Sequence, residues 1–465
     1  MDRGRPQPAD SHGGRTPEIV RAESGGRDAR VAAALGFVFF LIFNANGREI
    51  PSGDTQAAKF AAVRLVRYHT LTLDGVVGRI PQYAERQAFQ QDRHGRWRNG
   101  YPLPPVLEAS GATAVLRGAG LLDLNAPLAA VTVAKVTASL LASVASMFAF
   151  LIARRFCSPL AAIIVAIGFG LGTGMWPTVS QTLWQHASAI WSATAAIWLW
   201  TRRIDGPRGV AQFAVLGALL GWTLSARLQL LPMIGVLAAA MLIRASRQER
   251  IACVLALLVP LGIFAALNVR WFGHPLGALP QFEQASLVIH RQWYTWQWPW
   301  PGIAGLLLSP SRGLLVFSPI ALVALAARAA PRDRGILRWS AGAAGAQFLL
   351  YASYSVWWGG HTYGPRYVLD LLPALLPAAA IGTSRLASAP MAGRMLAAAA
   401  LVWSLVTGAT GAFCYPHDQW NTDPVSVDRA HERLWEIRDS QILRCWQRGR
   451  SPQNFALFER EAWRR

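Results

Sequence analysis

Long apolar runs, each close to the length of a membrane-spanning helix, recur along most of this chain. Crossing the ~30 Å hydrocarbon core of a bilayer takes roughly 17–25 predominantly apolar residues. About eleven such runs are present, at residues 31–46, 127–153, 159–176, 183–201, 210–225, 228–243, 251–271, 303–327, 339–358, 367–384 and 395–414. The pattern predicts an all-α integral membrane protein with about eleven transmembrane helices.

The composition supports this fold class. Of the 465 residues, 53% are hydrophobic and 15% charged, whereas soluble domains carry about 25% charged residues. Lys and Arg outnumber Asp and Glu by 45 to 25, which gives a formal net charge of +20. Such an excess can indicate nucleic-acid binding. Here the charges lie in short clusters between apolar runs, which is typical of a membrane topology signal, and we expect no nucleic-acid partner.

The arginine clusters predict how the chain is oriented. They fall on alternate loops, and the positive-inside rule makes the face that carries them cytoplasmic. We therefore predict a multi-pass protein of a bacterial cytoplasmic (inner) membrane, with its N-terminus cytoplasmic and its C-terminus extracytoplasmic. The clusters are Arg154 and Arg155; Arg202, Arg203 and Arg208; Arg244, Arg247 and Arg250; Arg328, Arg332, Arg334 and Arg338; Arg385 and Arg394.

Three regions are distinguished by composition. Residues 1–30, rich in Gly, Pro and Arg, predict a disordered cytoplasmic leader. Residues 31–414 form the membrane core, which includes a large first outer loop at 47–126. Residues 415–465 form an extracytoplasmic tail. The first apolar run also resembles a signal-peptide core, but the long leader that precedes it favours a retained helix.

Several smaller patterns allow two interpretations. The segment 59–67 has the spacing of an amphipathic helix, which lies either on the membrane surface or in solvent. The Trp-rich stretches 296–300 and 357–358 predict interfacial aromatic belts. Cys414 and Cys445 both fall on the predicted outer side, where a disulfide between them is allowed.

Ionisable residues near the ends of the apolar runs converge on the outer face. Charged groups in membrane helices are costly and are therefore functional candidates. Cations predominate over carboxylates among them, which suggests a ligand carrying phosphate. Acidic residues near the midplane, expected of an ion-coupled transporter, are absent from the sequence there. The group comprises Lys135, His186, Arg227, Arg270, Arg312, His361, Tyr363, Arg366 and Asp370, with Asp54 directly after the first run.

Each of these residues also has a purely structural interpretation. Lys135 is close enough to the outer surface to extend its ammonium group into water. His186 fits a hydrogen bond between helices. Arg366 and Asp370 are spaced i,i+4 and fit a pair on one helix face. Asp54 fits a turn or a helix cap.

Five sequence segments together resemble the GT-C superfamily of polytopic membrane glycosyltransferases, related to protein mannosyltransferases and aminoarabinose transferases. They are Asn46 to Thr55, Tyr101-Pro102, Ser180 to His186, Ser309 to Leu314 and Trp357 to Tyr367. The resemblance implies a polyprenyl-phosphate-linked sugar as donor, a glycan, lipid or protein as acceptor, and a catalytic acid in the first outer loop. That acid maps onto Asp54. No second acid adjoins Asp54, so a divalent cation stays an open question.

The resemblance and the chemistry together give each candidate a role. Asp54 is the general base, and the transfer inverts the anomeric carbon. The donor phosphate is bound by Lys135, Arg312 and Arg366. Further substrate contacts come from Arg48, Glu49, His186, Arg227, His361, Tyr363 and Asp370. Two alternatives stay open, namely a flippase or transporter of polyprenyl-linked glycans that makes no bond, and a structural subunit of an envelope-assembly complex.

Overall fold

A computed structural model describes residues 17–78, 88–202, 209–282 and 295–459, with the backbone alone for residues 17–25. Residues 1–16 of the leader, Arg203 and Arg208 lie outside this part of the chain. The described α-helices are α1 Pro17–Asn44, α2 Gln56–Tyr68, α3 Asp74–Val77, α4 Pro104–Gly118, α5 Ala129–Ala153, α6 Pro159–Gly170, α7 Gln185–Arg202, α8 Val210–Ala226, α9 Leu231–Leu242, α10 Arg247–Phe272, α11 Trp300–Leu308, α12 Leu314–Phe317, α13 Arg334–Ala352, α14 Leu372–Leu386, α15 Met391–Cys414 and α16 Gln441–Arg448.

Shorter elements connect these helices. One antiparallel hairpin pairs β1 Phe89–Gln91 with β2 Trp97–Asn99, and Phe89 lies opposite Asn99. A π-helical turn occupies Met175–Val179. The 3₁₀ segments are Gly53–Thr55, Leu228–Leu230, Pro319–Ala326, Pro331–Asp333, Arg366–Leu371, His431–Trp435 and Ala456–Phe458.

The membrane core is built around α5. This helix packs against α1, α6 and α7, and α7 in turn packs against α8. Small residues on α5, such as Ala138, Ala142 and Ala145, are fully buried or nearly so, which lets the neighbouring helices approach closely. A second apolar cluster joins α2, α4 and the start of α5 in the first outer loop.

Within the described residues, four helices are long and apolar enough to cross a membrane, namely Ala129–Ala153, Arg247–Phe272, Arg366–Leu386 and Met391–Cys414. Shorter apolar helices accompany them at Pro159–Gly170, Val210–Ala226 and Leu228–Leu242. Only 6% of the apolar stretch of α10 is buried inside the protein. Its exposed side chains include Leu255 and Val259, as expected of a helix that faces lipid. The predicted all-α membrane architecture is confirmed.

The structure differs from the predicted helices in three places. The run 303–327 is interrupted, because α11 ends at Leu308 and Ser309 Oγ accepts hydrogen bonds from the backbone amides of Ser311 and Arg312. The run 159–176 ends at Gly170, before the π-helical turn. Helix α1 begins at Pro17, so residues 17–30 of the predicted disordered leader are helical.

The tail folds back over the end of the bundle at which α1 and α15 end. Cys414 and Cys445 form a disulfide with Cα atoms 5.7 Å apart. The backbone amide of Leu457 donates to the carbonyl of Gly47, in the turn after α1. Gly47 has a φ of +56°, and a Cβ there would lie 2.7 Å from the Cα of Phe455. Glycine is thus required for this close approach.

Candidate functional site

A polar chamber of about 60 Å³ lies at the end of the bundle that the tail covers. Its walls come from the turn after α1, the segment before α4, the start of α7, the junction between α8 and α9, the segment after α13 and the 3₁₀ segment Arg366–Leu371. The lining residues are Asp54, Thr55, Tyr101, Trp184, Gln185, His186, Arg227, Gln229, Tyr354, Arg366 and Tyr367.

Asp54 is held in this chamber from two sides. Its Oδ1 accepts a hydrogen bond from the hydroxyl of Tyr101 at 2.8 Å. Its Oδ2 lies 3.4 Å from Nη1 of Arg366. The carboxylate is 26% exposed, so an incoming substrate can reach it. Asp54 therefore has a fixed orientation without being sealed off.

The guanidinium of Arg366 lies between aromatic faces. It sits 4.9 Å from the ring centre of Trp184 and 5.5 Å from that of Tyr367. Such faces stabilise a cation while leaving its in-plane N–H groups directed to acceptors. The arrangement suits recognition of a phosphate beside Asp54.

A buried charge network forms the floor of the chamber around Asp370. This fully buried carboxylate accepts from Nε of Arg227 at 2.7 Å and from the hydroxyl of Tyr351 at 2.5 Å. Nδ1 of His186 lies 2.7 Å from its other oxygen. The ion pair with Arg227 keeps Asp370 ionised, so His186 donates through Nδ1 and its Nε2 is an acceptor when the ring is neutral.

An apolar groove of about 520 Å³ adjoins the chamber. The two cavities share Tyr101, Gln185, Gln229 and Tyr354 as walls. The remainder of the groove is lined largely by apolar side chains, including Leu224, Leu228, Leu261, Phe264, Leu279 and Phe282. A ligand with a charged head and a hydrocarbon chain matches this combination.

Two of the three predicted phosphate ligands do not line the chamber. Nζ of Lys135, on the buried side of α5, donates to the carbonyl of Phe43 at 2.7 Å and to Oε1 of Gln181 at 2.6 Å. Arg312 is fully buried at the break after α11. Its guanidinium donates to Gln441 and Asn421 of the tail, and to the carbonyl of Gly360. Both side chains therefore have their hydrogen-bond partners within the protein in these positions.

Arg48 and Glu49 also lie outside the chamber. Arg48 binds the tail through Asn454 Oδ1 and the carbonyl of Tyr415, and burial lowers its pKa to about 10. Glu49 pairs with Lys59 at 2.7 Å, and both side chains are almost fully buried. The segment 59–67 was predicted to lie either on the membrane surface or in solvent. In the structure, the Lys59 side chain of this helix points into the protein instead.

His361 and Tyr363 lie on the tail side of Trp184, away from the chamber. His361 pairs with Asp428 at 3.0 Å, and the hydroxyl of Tyr363 donates to the carbonyl of Thr407. Of the predicted site residues, the chamber walls therefore contain Asp54, His186, Arg227 and Arg366, with Asp370 directly behind them.

Sequence reasoning assigned no role to several residues that the structure brings to the site. Tyr101 appeared only as part of a motif, and Tyr351 and Gln229 carried no signal because they lie in apolar runs. Glu108 of α4, which lines neither the chamber nor the groove, was also assigned no role. Its Oε1 accepts from the indole nitrogens of Trp191 and Trp222, and burial raises the pKa of Glu108 to about 7.

The chamber is a poor site for a divalent cation. Among the described residues lining it, Asp54 is the one carboxylate, and it already contacts a phenol and a guanidinium. Within the same part of the chain, Cys414, Asp418 and Cys445 form a group of metal-ligand types. The disulfide removes the two thiolates of that group.

Among known proteins, solved structures resemble this chain. No family model and no curated protein matches the sequence. The chain is similar to the crystal structure of ArnT from Cupriavidus metallidurans bound to undecaprenyl phosphate, at 14% identity and a TM-score of 0.48. The similarity covers 90% of this chain and 76% of that chain. A likeness at this level does not assign an activity.

Proposed function

We propose that the chain is a membrane glycosyltransferase that transfers a sugar from a polyprenyl-phosphate donor to an extracytoplasmic acceptor. The observation that carries this proposal is the position of Asp54 and Arg366 in a polar chamber beside a 520 Å³ apolar groove. The groove would hold the hydrocarbon chain of the donor, and the chamber its phosphate and sugar.

The reaction needs a proton acceptor and a stabilised leaving group. The hydroxyl oxygen of the acceptor attacks the anomeric carbon, and its proton passes to Asp54. The bond from that carbon to the phosphate oxygen breaks, and the electron pair leaves with the polyprenyl phosphate. Arg366 and Arg227, which line the chamber, would offset the charge of the leaving phosphate. Attack from the side opposite the phosphate inverts the anomeric carbon.

The disulfide supports an extracytoplasmic chamber. Disulfides persist in oxidising compartments and are rare in the cytosol. Cys414, the last residue of α15, and Cys445, in the tail, lie at the chamber end of the bundle. The arginine clusters fall at the other end, so the two orientation signals agree.

The test uses full-length protein reconstituted in liposomes with radiolabelled polyprenyl-phosphate hexoses and pentoses, and an envelope extract as acceptor. Asp54→Asn is expected to lower sugar transfer by at least about 100-fold. Asp123→Asn, an exposed carboxylate of the same outer loop, is the matched control and is expected to transfer normally. Full transfer by Asp54→Asn would overturn the proposal. Passage of intact labelled lipid across the bilayer without cleavage would identify a flippase instead.

A further inference from the structure

A second cavity, of about 310 Å³, lies at the end of the bundle opposite the chamber. Each of the helices α7, α8, α9 and α13 has one end at or beside the chamber and the other end at the second cavity. Helix α7 begins at Gln185 beside the chamber, and its Trp200 lines the second cavity. Helix α7 has 18 residues, which corresponds to about 27 Å. The two cavities are thus separated by about the thickness of the hydrocarbon core of a bilayer.

Helices α8, α9 and α13 likewise have one end near each cavity. The start of α8, the end of α9 and the start of α13 line the second cavity, and their opposite ends adjoin the chamber. This places the second cavity at the membrane surface that carries the arginine clusters. We call it the arginine-face cavity; it is lined by Trp200, Gln212, Phe213, Leu216, Ala240, Met241, Ile243, Arg244, Pro331, Arg332, Gly335, Ile336 and Trp339.

The chemistry of this lining is divided between cations and apolar walls. Arg244 and Arg332 are its charged members, and no acidic side chain occurs among the described lining residues. The side chain of Arg332 is 75% exposed, and its contact with Asp333 is long, at 3.5 Å. Asp333 lies 3.6 Å from Arg155 as well. A guanidinium has five N–H donors, so this contact leaves Arg332 with capacity for an anion.

We infer that the arginine-face cavity binds the phosphate of an anionic glycerophospholipid from the adjacent leaflet. The guanidinium groups of Arg244 and Arg332 bind the phosphate through charge-assisted hydrogen bonds. The aromatic and aliphatic walls, such as Trp339 and Phe213, hold the glycerol backbone and the first methylenes of the acyl chains. A free phosphate ion would leave these apolar walls unused, which is why a lipid is the better match.

Gly335 provides a test that keeps both arginines. A Cβ built at Gly335 meets no heavy atom within 4 Å, so a side chain there extends into open space instead of into backbone. Because Gly335 lines the cavity, Gly335→Phe is expected to occupy part of it without a clash against the helix backbone. The replacement is expected to exclude the lipid while the charge of the surface stays unchanged.

The experiment is native mass spectrometry of the full chain in detergent micelles that contain phosphatidylglycerol. The wild type is expected to retain bound phosphatidylglycerol, and the double variant Arg244→Gln/Arg332→Gln to retain about tenfold less. Gly335→Phe is expected to show a similar loss. The double variant Arg247→Gln/Arg334→Gln removes the same charge from the same face outside the cavity, and it is expected to bind normally.

Four results would overturn the inference. The first is an equal loss of lipid from the cavity double variant and the control double variant, which would indicate that diffuse surface charge holds the lipid. The second is full displacement of the lipid by millimolar inorganic phosphate, which would identify a free-anion site. The third is equal retention of phosphatidylcholine, and the fourth is unchanged lipid binding in Gly335→Phe. Because the readout is lipid binding, these outcomes do not depend on the proposed transferase activity.

Discussion

The carboxylate of Asp54 lies 3.4 Å from the guanidinium of Arg366, although 312 residues separate them in the chain. Tyr101, which precedes α4 in the first outer loop, contacts the same carboxylate. Three of the sequence motifs, distant from one another in the chain, thus meet at one carboxylate. Their convergence is what makes the chamber a candidate active site.

Tyr101→Phe removes the hydroxyl that donates to Asp54 and keeps the ring, which stacks on Phe282 at 4.8 Å. A hydrogen bond to a charged group contributes about 1.5–3 kcal/mol, so sugar transfer is expected to fall by about 10- to 100-fold. Transfer assays and thermal unfolding are measured together, since stability should change little. Tyr68→Phe, which alters an exposed ring, is the control, and an equal effect in both variants would contradict the prediction.

Asp370→Asn is expected to destabilise the protein strongly. It leaves the guanidinium of Arg227 buried without its carboxylate, and breaking a buried pair in this way costs about 3–5 kcal/mol. Asp423→Asn removes a carboxylate that is 50% exposed and pairs loosely with Arg444 and Arg448. Exposed pairs contribute at most about 1 kcal/mol. Unfolding midpoints in detergent compare the two variants, and similar shifts would argue against the charge network.

Glu108 predicts a pH dependence of stability. Burial raises its pKa from 4.5 in the unfolded chain to about 7 in the fold. The folded state therefore holds the proton more tightly, and the stabilisation present below pH 4.5 is lost as the pH rises through 7. Glu108→Gln, which has no charge to desolvate, is expected to unfold at a higher temperature than the wild type at pH 8.

The difference between wild type and Glu108→Gln is expected to shrink at pH 5, because Glu108 is then largely protonated in the folded state. Glu432→Gln, an exposed position in the tail, serves as the control and should not alter this pH trend. A constant offset between wild type and Glu108→Gln at both pH values would show that the carboxylate does not titrate in this range.

The disulfide makes a prediction about cysteine labelling. The chain has 4 cysteines, and the structure leaves Cys157 and Cys253 as thiols. Denatured but unreduced protein should therefore take up maleimide at those two positions, and at all of the cysteines after reduction. Cys445→Ser is expected to lower stability by about 3–4 kcal/mol through loss of loop closure. Complete labelling without reduction would refute the bridge.

Hydropathy predicted most of the helices, because a long run of apolar residues is best accommodated as a helix in the membrane. It missed the interruption after Leu308, because the run 303–327 is long and apolar enough for one crossing despite its Ser309-to-Gly313 segment. The break itself depends on hydrogen bonds made by Ser309. The position of Lys135 along its helix, near the outer end, was likewise predicted from its place in the apolar run. The direction in which it points was not, because packing against α1 and Gln181 fixes the rotation of α5.

The pairing of Arg366 and Asp370 shows the same limit. Their i,i+4 spacing suits an α-helix, but the segment Arg366–Leu371 is a 3₁₀ helix with about three residues per turn. The two side chains therefore diverge, and Arg366 contacts Asp54 whereas Asp370 contacts Arg227 and His186. The sequence identified both residues as site candidates. Their different contacts follow from the backbone conformation, which the sequence pattern did not predict.

The hydrogen bonds between the tail and the turn after α1 have a consequence for biogenesis. Arg48, six residues before Asp54, is fixed by Asn454 and by the carbonyl of Tyr415. A nascent chain that has inserted its first helices therefore lacks the partners that shape this turn. On the proposed function, activity would arise late, once the tail has folded and Cys414 and Cys445 are bonded, so that a half-made polypeptide would not consume lipid-linked sugar.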